Sequence, residues 1–145
     1  MTTRISPRRA AARLRRADEH FDRENARDLE GILSTFGPWP SLVLNGEHLG
    51  GPDRVRGVYR VLLDSFPDLA VEVKHRYLAG ESVVAQAVLR GTQVHPFLGV
   101  PATGRHIEVP ACVIFHFDSE DLLAEETVYL DVGLLRKQVG LPGAA

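Results

Sequence analysis

Long apolar runs are missing from this 145-residue sequence. None approaches the roughly 18–20 residues that a membrane-spanning helix needs, which excludes a helical membrane protein. An excess of positive charge is missing too: 17 Lys and Arg stand against 19 Asp and Glu, a net charge of −2 with histidines neutral. Such a chain has no overall field to gather phosphates, so a nucleic-acid partner is not expected. Cysteine is almost absent. Cys112, alone in "VPACVIF", has no internal disulfide partner. It reads as a buried thiol, consistent with a reducing, cytoplasmic setting. The six histidines, at 20, 48, 75, 95, 106 and 116, show no HxxxH or HxH spacing, and there is no CxxC, so no metal is expected. GxGxxG, phosphate-loop and GxSxG motifs are lacking, which removes nucleotide cofactors and the serine-hydrolase elbow. Cofactor-free acid–base chemistry, or binding alone, is what these absences leave.

The charge that is present is uneven. Arg4, Arg8, Arg9, Arg13, Arg15 and Arg16 crowd the first sixteen residues without an acid among them, and read as the solvated face of a first helix. No apolar segment follows them, so they do not form an export signal. Apolar residues recur at helical spacing through 7–33, with Asn25 placed to cap a second short helix that Gly37 and Pro38 end. "SLVLNGEHLGG" reads as a short strand and a Gly-rich turn. Pro52 and Asp53 open a helix whose stripe is Val55, Val58, Tyr59, Leu62 and Leu63, and Pro67 closes it. The period then changes. "LAVEVKHRYLA", "SVVAQAVLRGTQ", "HIEVPACVIFHF" and "LLAEETVYLD" read as strands, with a loop at "HPFLGVPATGR", Pro110 at a bulge or edge, and a terminal helix at "VGLLRKQVG". Helices followed by consecutive strands predict an α+β domain with an antiparallel sheet.

Chemistry concentrates near the last strand. Glu125, Thr127, Tyr129 and Asp131 share one parity, and Glu126, Val128 and Leu130 the other; alternation alone does not fix which face is inside. Asp131 stands where a strand meets a helix, so it reads either as an N-cap or as a pocket carboxylate. His116, flanked by Phe115 and Phe117, reads either as a hydrogen-bonded core histidine or as a neighbour of the last strand across the "DSED" turn.

"GTQVHPFLGVPATGR", from Gly91 to Arg105, and the tail "ETVYLDVGLLRKQVG" resemble the SnoaL-like polyketide cyclase (ester cyclase-like) family. Together with "FPDLAVEVKHRYLAGESVVAQAVLRGT", the resemblance covers roughly residues 50–140. It implies a single SnoaL-like domain over 1–145: N-terminal helices and a curved antiparallel sheet forming a cone-shaped α+β barrel around one pocket. It also implies a cofactor-free cyclase that closes a ring of an aromatic polyketide intermediate by an intramolecular aldol reaction. The implied acid/base is Asp131, with His116 assisting from the preceding strand. Tyr129 could then act as a phenol donor, and Phe115 could supply apolar surroundings. Three features depart from the family pattern: Gln93 stands where a histidine is common after "GT", Thr127 where a tryptophan is usual, and "DSED" lacks the glycine of the usual tight turn. The implied partners are a hydrophobic small-molecule substrate and further copies of the chain, as a homodimer or higher homo-oligomer. An epoxide hydrolase, a ketosteroid isomerase or a non-catalytic binding module on the same scaffold are the alternatives.

Overall fold

A computed structural model describes residues 4–142. Helix α1 (Pro7–Asn25) starts where the Ser6 hydroxyl accepts from the Arg9 N–H and Pro7 presets the first turn. It presents Arg13, Ala17, His20, Phe21 and Glu24 inward. The second helix, α2 (Leu29–Ser34), is capped by Asp28, whose carboxylate accepts from Gly31 N–H. Asn25, expected as that cap, instead clamps a strand: its side chain both accepts from and donates to the Val71 backbone, at 2.7 and 2.9 Å. The N-terminal arginines are not all solvated either. Arg13 is buried, bonded to Asp121 at 2.7 Å and stacked over Phe117, and Arg9 joins the same carboxylate at 3.0 Å.

Strand β1 (Phe36–Leu44) turns through Asn45 and Gly46 into β2 (Glu47–Gly50). Both turn residues have positive φ, 48° and 87°, the two-residue hairpin geometry that Asn-Gly favours. Helix α3 (Pro52–Ser65) follows, then β3 (Ala70–Ala79), β4 (Ser82–Thr92), β5 (His106–Phe117), β6 (Leu123–Leu130) and α4 (Val132–Gln138). The six strands form one sheet in the order β2-β1-β6-β5-β4-β3. The expected all-antiparallel sheet is corrected at one seam: β1 runs parallel to β6, so the sheet is mixed. A parallel partner needs a long crossover, and everything from β2 to β5 supplies it. Asn45 extends this seam, accepting from Leu130 N–H at 2.8 Å and donating to its carbonyl at 3.0 Å.

The sheet curls over α1 and α3. Its concave face carries Val83, Ala85, Ala87 and Leu89 of β4 and Val109, Val113 and Phe115 of β5, all in the core. Burying a side chain such as Phe115 contributes about 1.5–3 kcal/mol. The alternation expected along β3 breaks at a bulge between Val73 and His75, so Val73 lies opposite inward Ala87 while His75 lies opposite outward Gln86. Pro110 sits one residue past the last β5–β6 pair, Ala111 with Leu130, so its missing N–H leaves that pairing intact.

The two stretches that carry the family resemblance meet each other. Thr103 donates to the Val139 carbonyl at 2.7 Å, and the Gln138 amide exchanges two bonds with the Glu108 backbone, each 2.7 Å. Gly140 has φ 83°, and a Cβ there would lie 2.5 Å from the Arg105 guanidinium. Glycine suits the positive φ, and any larger residue would also have to displace the Arg105 side chain. These motifs therefore fasten the C-terminal helix to the sheet.

Candidate functional site

Strand β6 sets the inside of the cone. Glu126, Val128 and Leu130 face the concave side, and Thr127 and Tyr129 the convex side. A carboxylate in register with buried aliphatics is costly unless it is paired. Glu126 is paired. Its carboxylate lies 2.9 Å from His20 Nε2 and accepts from the Tyr59 hydroxyl. Glu24, one helical turn after His20 on α1, places Oε1 3.0 Å from the same Nε2. Tyr59 Oη, from α3, is 3.2 Å from it. On the other side of the ring, Nδ1 is 2.9 Å from Thr35 Oγ1. Phe21, Phe36 and Phe115 surround the imidazole edge-on, with centroids 5.3–6.0 Å away. Polar groups from α1, α3, β6 and the end of α2 thus converge on one imidazole.

All four groups are buried. Burial works against the charged form of His20, but the carboxylates of Glu126 and Glu24 outweigh it and push the ring up to about 10. Burial raises Glu24 above the usual carboxylate range, partly opposed by His20. Burial and the two carboxylates raise Tyr59 well above an ordinary phenol. The cluster is thus an imidazolium between two carboxyl groups, one of which tends to hold a proton. That pairing can accept a proton at one oxygen and release one at another. The donor atoms of His20, Glu24 and Glu126 lie within 4.8 Å of one another, close enough to hold a cation, although hydrogen bonds already join them to each other, to Tyr59 and to Thr35.

Glu24, Tyr59 and Glu126 open onto a cavity of about 70 Å³. Its other walls are apolar, among them Leu42, Val58, Leu62, Ala87, Val113 and Phe97. Phe97 sits on the loop between β4 and β5, edge-on to Phe66 with centroids 5.3 Å apart. Leu44, Val58 and Phe97 also line an open groove that reaches Glu47, Arg54 and Leu98, so the cavity and the groove are neighbours across those three side chains.

The residues expected at the site fall elsewhere, with one exception. Asp131 is exposed and caps α4, its carboxylate accepting from Leu134 N–H at 2.9 Å. It borders an open convex groove with Cys112 and Tyr129. Cys112 is half-buried there rather than in the core. His116 is exposed and bonds Ser82 Oγ at 3.1 Å, beside Arg9 and Arg13. The physical reason is parity: Asp131 and His116 share the outward register with Tyr129 and Cys112. Thr127 is buried on that same face, 3.3 Å from a Glu125 oxygen. Gln93 is buried under the β4–β5 loop, its amide donating to the carbonyls of His95 at 3.1 Å and Val100 at 2.8 Å. It therefore props the loop that carries Phe97. Phe115 alone reaches the site, as a wall of the His20 cage. Asp131→Ala is expected to cost about 1 kcal/mol by loss of the cap. Asp131→Asn, which still caps, should leave both stability and turnover near wild type; urea melts and rate measurements on the pair check this.

The sequence profile of the SnoaL-like polyketide cyclase family matches residues 12–139, and the chain belongs to that family. A proposed SnoaL-like polyketide cyclase from Jannaschia sp. CCS1 superposes with a TM-score of 0.84 at 26% identity, covering 97% of this chain and 99% of the other. A protein of ketosteroid isomerase-like fold from Catenulispora acidiphila DSM 44928, in complex with trimethylamine, matches at 0.72 and 17% identity, over 88% and 93% of the two chains. SalBIII, an epoxide hydrolase/cyclase-like enzyme in pyran ring formation in polyether salinomycin, matches at 0.73 and 16%, over 84% and 92%. No functionally curated protein matches the chain in sequence. The fold is the ketosteroid isomerase-like cone, and family membership with these neighbours supports a cyclase-type enzyme.

Proposed function

We propose that the protein closes a ring in a largely apolar polyketide-type substrate by an intramolecular aldol reaction, with Glu126 as the base. The observation that carries this reading is the buried Glu24–His20–Glu126 cluster with Tyr59, facing an otherwise apolar cavity. The acid/base role falls to Glu126 rather than Asp131, because a carboxylate must reach the carbon acid before its basicity matters.

Glu126 takes the proton from the carbon beside a carbonyl. Tyr59, relieved of its bond to the ionised carboxylate, donates to the enolate oxygen. The enolate carbon attacks a second carbonyl of the same molecule, and a C–C bond forms. The new alkoxide takes its proton from Glu24, whose burial keeps it inclined to hold one. Glu126 is then protonated and Glu24 ionised, and the ring N–H between them restores the starting state. The apolar walls hold the flexible chain in a near-attack shape. A volume of about 70 Å³ is smaller than the ~150 Å³ cavity that holds a benzene ring. A polycyclic substrate therefore extends past Phe97 into the adjoining groove, with only its reacting end beside Glu126.

A second reading has its own support. A carboxylate that accepts a proton and a carboxyl that delivers one, a few ångströms apart, also suit epoxide opening by an internal hydroxyl or by water. Incubation with linear aromatic β-polyketo methyl esters, and in parallel with hydroxy-epoxides, separates the two. Ring-closed aldol product from the first set supports the proposal. Turnover of the epoxides alone transfers the same residues to the second chemistry, and turnover of neither leaves a binding module.

A further inference from the structure

Thr35 contributes one hydroxyl proton to the cluster's hydrogen-bond inventory, and that proton is already committed. Its Oγ1 lies 2.6 Å from the Ile32 carbonyl oxygen, a separation that requires a proton between the two oxygens. A carbonyl has none to give, so Thr35 is the donor. Oγ1 can then only accept from His20 Nδ1, 2.9 Å away. The reverse arrangement would leave two oxygen lone pairs facing each other at 2.6 Å in the core. Thr35 is itself fixed: it ends α2, is fully buried, and its backbone N–H bonds the same Ile32 carbonyl at 3.1 Å.

We infer that Thr35 is a positioning residue that keeps the proton on His20 Nδ1, so that every exchange of the ring takes place at Nε2, between Glu24 and Glu126. The inference builds on the proposed acid–base reading but stands on the geometry of the resting protein. Among the described residues, charged and titratable groups face the ring only on its Nε2 side: Glu24 from α1, Glu126 from β6 and Tyr59 from α3. Its remaining aromatic neighbours, Phe21, Phe36 and Phe115, offer no acceptor. Without the Thr35 acceptor, the buried Nδ1–H has no other hydrogen-bond partner among the described residues. The imidazolium is then disfavoured, and the other tautomer, with Nε2–H and a bare Nδ1, becomes accessible. In that tautomer a neutral ring, with its proton on Nε2, cannot accept from the protonated Glu126, so the link between the two carboxyl groups is lost.

The first arm of the test is spectroscopic and needs no substrate. Nitrogen-15 NMR of the His20 ring in the wild-type protein should show Nδ1 protonated on both sides of its titration, with only Nε2 changing state. A neutral ring carrying its proton on Nε2 overturns the inference whatever the variants do. The second arm compares Thr35→Val, which keeps shape but loses the acceptor, with Thr35→Ser, which keeps it. Thr35→Val should lower kcat on the β-polyketo methyl esters about 10–100-fold with KM within twofold, and should move the His20 titration toward lower pH. Thr35→Ser should return both to near wild type. A folded Thr35→Val protein with an unchanged ring titration also overturns the inference. If Thr35→Val does not fold, the wild-type spectrum and Thr35→Ser decide. If no ester is turned over, the proposed reaction fails while the NMR arm still tests Thr35.

Discussion

Glu126→Gln is expected to lower ring closure about 10³-fold, within the roughly 10²–10⁴ range that a positioned general acid or base contributes. The substitution keeps volume and an oxygen acceptor at a position where Tyr59 donates and His20 Nε2 approaches to 2.9 Å. It removes the negative charge, and with it the capacity to bind the substrate's proton. With Glu126 neutral, Glu24, 3.0 Å from His20 Nε2, ionises in its place and keeps the imidazolium paired. A folded protein with a failed chemical step is therefore the expected phenotype. Substrate affinity should change little, since the cavity walls that hold the chain are aliphatic and aromatic. The measurement is single-turnover conversion of a β-polyketo ester, with Asp131→Asn run beside it. Loss of rate in Glu126→Gln and retention in Asp131→Asn is the predicted pattern. The opposite pattern would return the reaction to the convex groove that Asp131 and Tyr129 border.

That contrast also marks where the sequence could be read and where it could not. The apolar stripe of α3, the β-rich second half, the turn residues and the family itself were legible, because each is encoded by neighbours in the chain. The motifs that carry the resemblance, around Thr103, Arg105, Gln138 and Gly140, prove to be fastenings between the β4–β5 loop, β5 and the C-terminal helix. They mark the fold, and the resemblance they carry implied an acid/base at Asp131, at the end of the last strand. The cluster itself is spread over α1, the end of α2, α3 and β6, with Glu126 more than a hundred residues from His20. Only its His20–Glu24 pair, four apart on one helix, is local, and an i,i+4 His/Glu pair is an ordinary sight on a solvated helix face. One signal was available. Glu126 shares parity with Val128 and Leu130, so a carboxylate stands in an otherwise aliphatic file. Whether that file or the one with Tyr129 faced inward depended on the curl of the sheet and on which side the helices cover, and neither is written in β6. The parallel β1–β6 seam was hidden for a similar reason, since it joins the first strand to the last.

His20→Leu should produce the largest loss of stability, about 3–5 kcal/mol, the cost of removing one partner from a buried charge pair. Leucine fills much of the space within the phenylalanine cage, so packing is a minor part of the effect. What is lost is the cation between Glu24 and Glu126, and the side chains of both carboxylates are almost fully buried. The same cluster gives the wild type a distinctive pH dependence. His20 stands at about 10 in the folded protein against about 6.5 unfolded. The folded state therefore binds more protons, and the stability this contributes is complete below about pH 6.5 and is lost as pH rises through about 10. Glu24, also raised, acts in the same direction. The acid limb runs the other way. The Thr92 N–H and hydroxyl hold Asp68 below its usual range, so its contribution is lost as pH falls through that depressed value. Urea midpoints should accordingly be highest in mildly acidic solution and fall steadily from pH 6 to pH 10. In His20→Leu the midpoint should be low throughout and nearly flat between pH 7 and pH 10. A wild-type midpoint that held constant or rose across that window would mean that the ring is neutral in the folded protein, and that Glu24 and Glu126 are held without an imidazolium between them.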